Sequence, residues 1–264
     1  MIIPIESPDD ERIAGFRNIR ERDLVGREGQ FIAEGEVVLK VLLASRHRPS
    51  ALLIADKRIA TLTDLLARVP TDVPVYAAGQ AVLDAIAGFP LHRGILALAT
   101  RAPLPEPCDL LAACPERALV MVCCGIANHD NMGGLFRNAA AFGVHAVLLD
   151  GHCCDPFYRK AIRVSVGGAL RVPFARLAPG TDLLALLADQ GFSAIALSPR
   201  GKTTLNKLAR PPRAALLLGS EGDGLPGPLI ERSHSVRIPM AAGFDSLNVA
   251  TTSGIVLHHL ATDA

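Results

Sequence analysis

The sequence predicts a two-domain α/β protein whose second domain carries a mostly parallel sheet with helices on both faces. Three observations point there. Short apolar runs alternate with amphipathic ones over most of the 264 residues. Glycines stand just past helical runs, as at Gly143 and Gly191, where a left-handed C-cap belongs. One Pro-dense stretch, RAPLPEPCD at 101–109, interrupts the pattern and resists both helix and central strand.

Taken in order, FIAEG (31–35), ALLIA (51–55), VPVYAA (73–78) and ILALAT (95–100) read as strands. Between them GEVVLKVLLAS (35–45), LTDLLARV (62–69) and QAVLDAIAG (80–88) read as helices. Residues 1–100 thus form a small α/β domain, 101–115 a Pro-rich linker and 116–264 a second domain. In the latter, ALVMVCCGI, VHAVLLD, FSAIALS, AALLLGS and SVRIPM are strand-like. The helices are NMGGLFRNAAAFG, TDLLALLADQG and a last one around SLNVATTSGIVLHHLA, with Ser246 as its N-cap and Asn248 in its first turn. Ligands of such sheets sit beyond the carboxyl ends of the strands, which directs attention to LLLGSEGDGLPG at 216–227.

Composition narrows the class. Half the residues are hydrophobic, a fifth are charged and the formal net charge is +1, so a disordered or nucleic-acid-coating protein is excluded and any nucleic acid partner must be met by a local basic patch. MIIPIESPDDER has no basic segment followed by an apolar one, and no apolar run is long enough to span a bilayer, so a cytoplasmic protein with no membrane partner is expected. Cysteines 108, 114, 123, 124, 153 and 154 are read as reduced thiols. The adjacent pairs lack metal-knuckle spacing, so no metal is assigned. Arg12, Arg17, Arg20, Arg22 and Arg27 are interleaved with acids and read as a solvated face rather than a phosphate-tracking stripe.

The glycines of LLLGSEGDGLPG run G-x-x-G-x-G at Gly219, Gly222 and Gly224. A P-loop is excluded because Leu225 stands where lysine should follow, and a dinucleotide fingerprint because the glycine order and the ribose-binding acid are wrong. Ser220 and Ser246 lack the glycines of a nucleophile elbow. NHDNMGGLFRNAAAFG places Asn131, Gly133 and Arg137 where a buried strand passes into a helix, and Arg137 is either a snorkelling surface residue or a fixed cation for an anionic ligand.

Three stretches together resemble the SpoU/TrmH family of the SPOUT class of RNA methyltransferases. They are N-x-G-x-x-x-R-x-A from Asn131 to Ala139, L-G-S-E-G-x-G-L from Leu218 to Leu225, and I-P-M followed by S-L-N-V from Ile238 to Val249. DPFYRKAIRVSVGGALRVP at 155–173 is similar to that family's helix with an R-x-S-x-G-A segment. The first domain looks like the ribosomal-protein-like RNA-recognition domain that often precedes the catalytic one.

The resemblance implies a C-terminal trefoil knot, which general folding rules would reject. It also implies S-adenosylmethionine as methyl donor, the ribose 2′-hydroxyl of a ribosomal or transfer RNA nucleotide as acceptor, and a homodimer with the site near its interface. Carried over by position, Gly219, Glu221, Gly222, Gly224, Ile238, Met240 and Leu247 would bind cofactor, and Arg137, Asn131, Ser246, Asn248 and Glu221 would serve catalysis. Ala250 departs from the pattern, standing where serine is frequent. The alternative is an RNA-binding assembly factor that kept the fold and lost catalysis; a nucleotide-dependent oxidoreductase is disfavoured for want of the ribose-binding acid.

Overall fold

The computed structural model describes residues 2–17, 29–88, 90–244 and 246–262. They divide into two compact units, Met1–Pro103 with Phe157–Arg171 and Leu104–Pro156 with Val172–Ala264. Arg20, Arg22 and Arg27 of the arginine-rich stretch lie outside the described residues. Arg12 pairs with Asp10 at 2.6 Å, and Arg17 with Glu11 at 3.4 Å, so both charges are met locally.

The first unit is built on five strands, β1 (Ile2–Ile5), β2 (Gln30–Glu34), β3 (Arg48–Ala55), β4 (Val75–Ala78) and β5 (Ile95–Thr100), in the order β1-β4-β3-β5-β2. The first three neighbours run parallel, and β5 lies antiparallel to both β3 and β2. The segment 157–171 closes over β2. Phe157 stacks on Phe31 with centroids 5.1 Å apart, and the buried carboxylate of Glu34 accepts from Arg159 Nε at 3.0 Å and Arg163 Nη1 at 3.3 Å. This segment is two short helices, Arg159–Val164 and Gly168–Arg171, rather than one. The break falls at Val166 (φ +54°) and Gly167 (φ +81°), where positive φ cannot continue a right-handed helix.

The second unit is a seven-stranded sheet of β6 (Ala118–Cys123), β7 (Ala146–Leu149), β8 (Phe174–Arg176), β9 (Ser193–Leu197), β10 (Thr203–Thr204), β11 (Arg213–Leu218) and β12 (His234–Arg237). Every pairing in the order β10-β12-β9-β11-β6-β7-β8 is parallel. All six residues of β6 are buried, as a strand covered on both faces requires. β1, β8 and β10 carried no strand signal: β1 contains Pro4, and the other two span three and two residues. Residues 107–112 form a helix whose Leu110 and Leu111 join this unit's core. Parallel order brings the carboxyl ends of β9, β11, β6 and β12 to one edge, so loops 198–202, 219–226, 124–128 and 238–248 emerge together.

Candidate active site

A cavity of about 830 Å³ opens at that edge. Its walls come from the end of β9 (Leu197 to Arg200), the glycine loop (Leu218 to Leu225) and the stretch from Ile238 to Thr252. Gly219, Glu221, Gly222, Gly224, Ile238, Met240, Ser246, Leu247 and Asn248, drawn from two separate motifs, all line it.

The glycine loop folds on itself. Ser220 and Gly224 form an antiparallel bridge, with the Gly224 amide donating to the Ser220 carbonyl at 3.2 Å. A Cβ on Gly219 would stand 2.2 Å from the Gly224 carbonyl carbon and 2.3 Å from the Leu225 nitrogen, so glycine is required there by the loop's own backbone. Gly222 (φ +99°) and Gly224 (φ +70°) face open space and are needed for their backbone conformation. The buried Leu225 anchors the far side.

Asn248 joins the motifs. Its Nδ2 donates to Asn131 Oδ1 at 2.8 Å and to Glu221 Oε1 at 3.0 Å, and its Oδ1 accepts from the amides of Ala250 at 2.9 Å and Thr251 at 3.2 Å. The helix Val249–Thr262 is therefore capped by Asn248, not by Ser246 as expected, and Asn248 stands outside the first turn. Ser246 and Leu247 precede the cap and are left free to line the cavity. Asn131 is buried in the first turn of the helix His129–Ala141, whose own cap is Asn128, accepting from the amides of Asp130 and Asn131. Asn131 reaches the cavity wall through Asn248 and does not itself line the cavity.

Arg137 lies elsewhere. Six residues after Asn131 on a helix corresponds to a rotation of about 240° beyond one full turn, which turns the arginine away from the cavity. It is exposed and lines a shallow groove with Gly134, Asn138, Ala250, Thr251, Gly254, Ile255 and His258. The 129–141 and 249–262 helices cross closely there: a Cβ on Gly134 would lie 2.6 Å from that of Ala250, and Asn138 Nδ2 donates to the Ala250 carbonyl at 2.6 Å and to Ser253 Oγ at 2.9 Å. Among the described residues the Arg137 guanidinium has no hydrogen-bond or ion-pair partner.

The paired cysteines are free thiols. Cys123, Cys124 and Cys153 are buried; burial raises Cys124 and Cys153 to about 12 and Cys123 well above the ordinary thiol range. Among the described residues no cluster of three or more His, Cys, Asp or Glu could hold a metal. Nor is any helix long and apolar enough to cross a membrane.

Sequence reasoning missed Leu197, Ser198, Pro199, Arg200, Asp223 and Thr252 in the wall. The signal for the first four was present, since they end a strand and the carboxyl-end rule applies to β9 as much as to β11.

A parallel α/β sheet with a ligand-sized cavity at its carboxyl edge, walled by backbone-rich loops, defines a protein that binds a small molecule at the switch between strands. Residues 118–258 match the profile of the SpoU rRNA Methylase family. The chain belongs to that family. A Mycobacterium bovis protein named as an uncharacterized tRNA/rRNA methyltransferase is 41% identical over 262 residues, covering 95% of this chain and 88% of the relative. An AdoMet-bound rRNA methyltransferase from Sinorhizobium meliloti superposes with a TM-score of 0.84 at 21% identity, covering 98% and 97% of the two chains. An RNA 2′-O ribose methyltransferase gives 0.81 at 22% identity, covering 99% of each.

Proposed function

We propose that this protein methylates the 2′-hydroxyl of one ribose in ribosomal or transfer RNA, with S-adenosylmethionine as donor. The observation that carries this reading is the cavity whose walls join the glycine loop to the 238–252 stretch, tied through Asn248 to Asn131. Family membership and the tRNA/rRNA methyltransferase name of the M. bovis relative supply the reaction class, and the fold shared with a 2′-O ribose methyltransferase supports the choice of acceptor. In this reading the unit built on the first hundred residues recognises RNA, and the unit of 104–156 and 172–264 is a knotted catalytic domain that works as a homodimer. The exposed face bearing Arg137, Ile255 and His258 supports the dimer, because a motif cation turned from its own cavity suits a site completed by a second copy.

The cavity fits the cofactor. Its volume lies within the range of small-molecule pockets, roughly 300–1,000 Å³. Ile238, Met240, Leu197 and Leu247 offer apolar walls to adenine, the glycine loop offers backbone polar groups at close range, and Glu221 and Asp223 offer negative charge to cationic groups. When bound, S-adenosylmethionine supplies an electrophilic methyl group on a sulfonium. Asn248 holds Glu221 and Asn131 in one arrangement while it caps its helix, which pre-organises the wall. The Arg137 guanidinium is a cation rather than a proton acceptor, so its part is to hold the phosphate beside the target ribose, and the hydroxyl proton passes to solvent water as the methyl group is transferred.

Incubating the protein with methyl-labelled S-adenosylmethionine and total RNA, followed by alkaline hydrolysis, tests the reading. The expected product is a labelled, alkali-resistant dinucleotide; label released only in mononucleotides would contradict ribose methylation.

A further inference from the structure

The loop after β9, residues 198–202, lines the cavity but belongs to none of the three motif stretches. It is fixed to β12 along its length. The Ser198 amide donates to the Val236 carbonyl at 2.9 Å, the Lys202 amide donates to Ser235 Oγ at 3.2 Å, and Arg237 Nη1 donates to the carbonyls of Gly201 and Lys202. Gly201 is pressed against the strand, since a Cβ there would stand 2.3 Å from the Val236 carbonyl carbon. Within the loop, Ser198 Oγ accepts from the Arg200 amide at 3.3 Å and the Ser198 carbonyl accepts from the Gly201 amide at 3.0 Å. A stiff turn therefore presents the exposed Arg200 at the cavity.

Among the described lining residues Arg200 is the single cation, and Glu221 and Asp223 carry negative charge. Among the described residues its guanidinium has no hydrogen-bond or ion-pair partner. A guanidinium forks two parallel hydrogen bonds onto a planar oxyanion, and an immobilised backbone lowers the cost of holding it there. The amino-acid end of S-adenosylmethionine carries one carboxylate, with an ammonium and the sulfonium close by. Arg200 with Glu221 and Asp223 match those groups in sign.

We propose that Arg200 binds the α-carboxylate of the cofactor in the cavity it shares with Glu221 and Asp223. The assignment rests on the cofactor reading above. It is tested by calorimetric titration of the full chain with S-adenosylmethionine and with 5′-methylthioadenosine, which keeps the adenosine and lacks the amino-acid end. Arg200→Gln is expected to weaken S-adenosylmethionine by about tenfold or more while methylthioadenosine stays within about twofold, and Arg200→Lys to recover part of the loss. Unchanged S-adenosylmethionine affinity in Arg200→Gln overturns the proposal. So does an equal loss for both ligands, which would mean a distorted loop, or a loss confined to RNA binding, which would assign Arg200 to an RNA phosphate. If the wild type binds neither ligand, the cofactor reading fails at its root and takes this assignment with it, a result seen before any variant is made.

Discussion

The first turns of the 249–262 helix have two sides that differ in kind. On the cavity side, Asn248, Asn131 and Glu221 satisfy one another, and the Asn248 oxygen also serves the helix amides. On the groove side, small residues let two helices touch, and Arg137 stands exposed beside them without a partner among the described residues. A closed polar network determines the shape of a wall. An exposed cation without such partners leaves that shape unaffected, and under the reading proposed above it serves the RNA.

If that contrast is right, substitutions should divide into those that damage shape and those that damage only chemistry. The largest effect is expected from Gly219→Ala, whose Cβ meets backbone on two sides at 2.2 and 2.3 Å. A loss of about 3 kcal/mol or more in stability is expected by denaturant unfolding, together with loss of S-adenosylmethionine binding. Gly134→Val comes next, because its Cβ would lie 2.6 Å from that of Ala250; overpacking predicts about 1–3 kcal/mol, while the cavity should keep its ligand. Asn248→Ala removes a helix cap worth about 1 kcal/mol and frees Glu221 and Asn131, so cofactor affinity should fall more clearly than stability. Arg137→Ala should leave the thermal midpoint where it is. A destabilised Arg137→Ala would break the contrast, and so would an Asn248→Ala that binds cofactor like the wild type.

Acid stability offers a check on the other unit. His47 is buried against Phe31 and Phe157, and its Nδ1 accepts from the Ala102 amide at 3.0 Å. Burial lowers its pKa to about 4 from the ordinary 6.5, so the unfolded chain binds the proton more readily between those values. Its contribution is complete above the unfolded value and is lost as pH falls towards 4. Replacing His47 with Phe should flatten that part of the stability–pH curve, measured by urea unfolding from pH 4 to 7.

How far the sequence could be read depended on how many physical signals coincided. β6 and β11 were readable because strands buried on both faces show continuous apolar runs; β8 and β10 are too short to show any pattern. The helix ending at Gly143 was readable because a positive φ of +67° there demands glycine. S-L-N at 246–248 offers two capping side chains, and local sequence does not rank them; the partners of Asn248, 117 and 27 residues away in the chain, decide. The N-x-G-x-x-x-R pattern announced Asn131 and Arg137 together, yet helical rotation sends them to different surfaces. Arg200 sits in a short S-P-R-G turn with no spacing rule of its own, so only the sheet order brings it to the cavity.

The separation of binding from transfer is tested most directly by measuring two quantities on Arg137→Ala: the dissociation constant for S-adenosylmethionine and the single-turnover rate of methyl transfer to total RNA. The account predicts an affinity within about twofold of the wild type and a transfer rate reduced by about a hundredfold or more. Transfer at the wild-type rate, or a loss of cofactor affinity as large as that of Asn248→Ala, would contradict it.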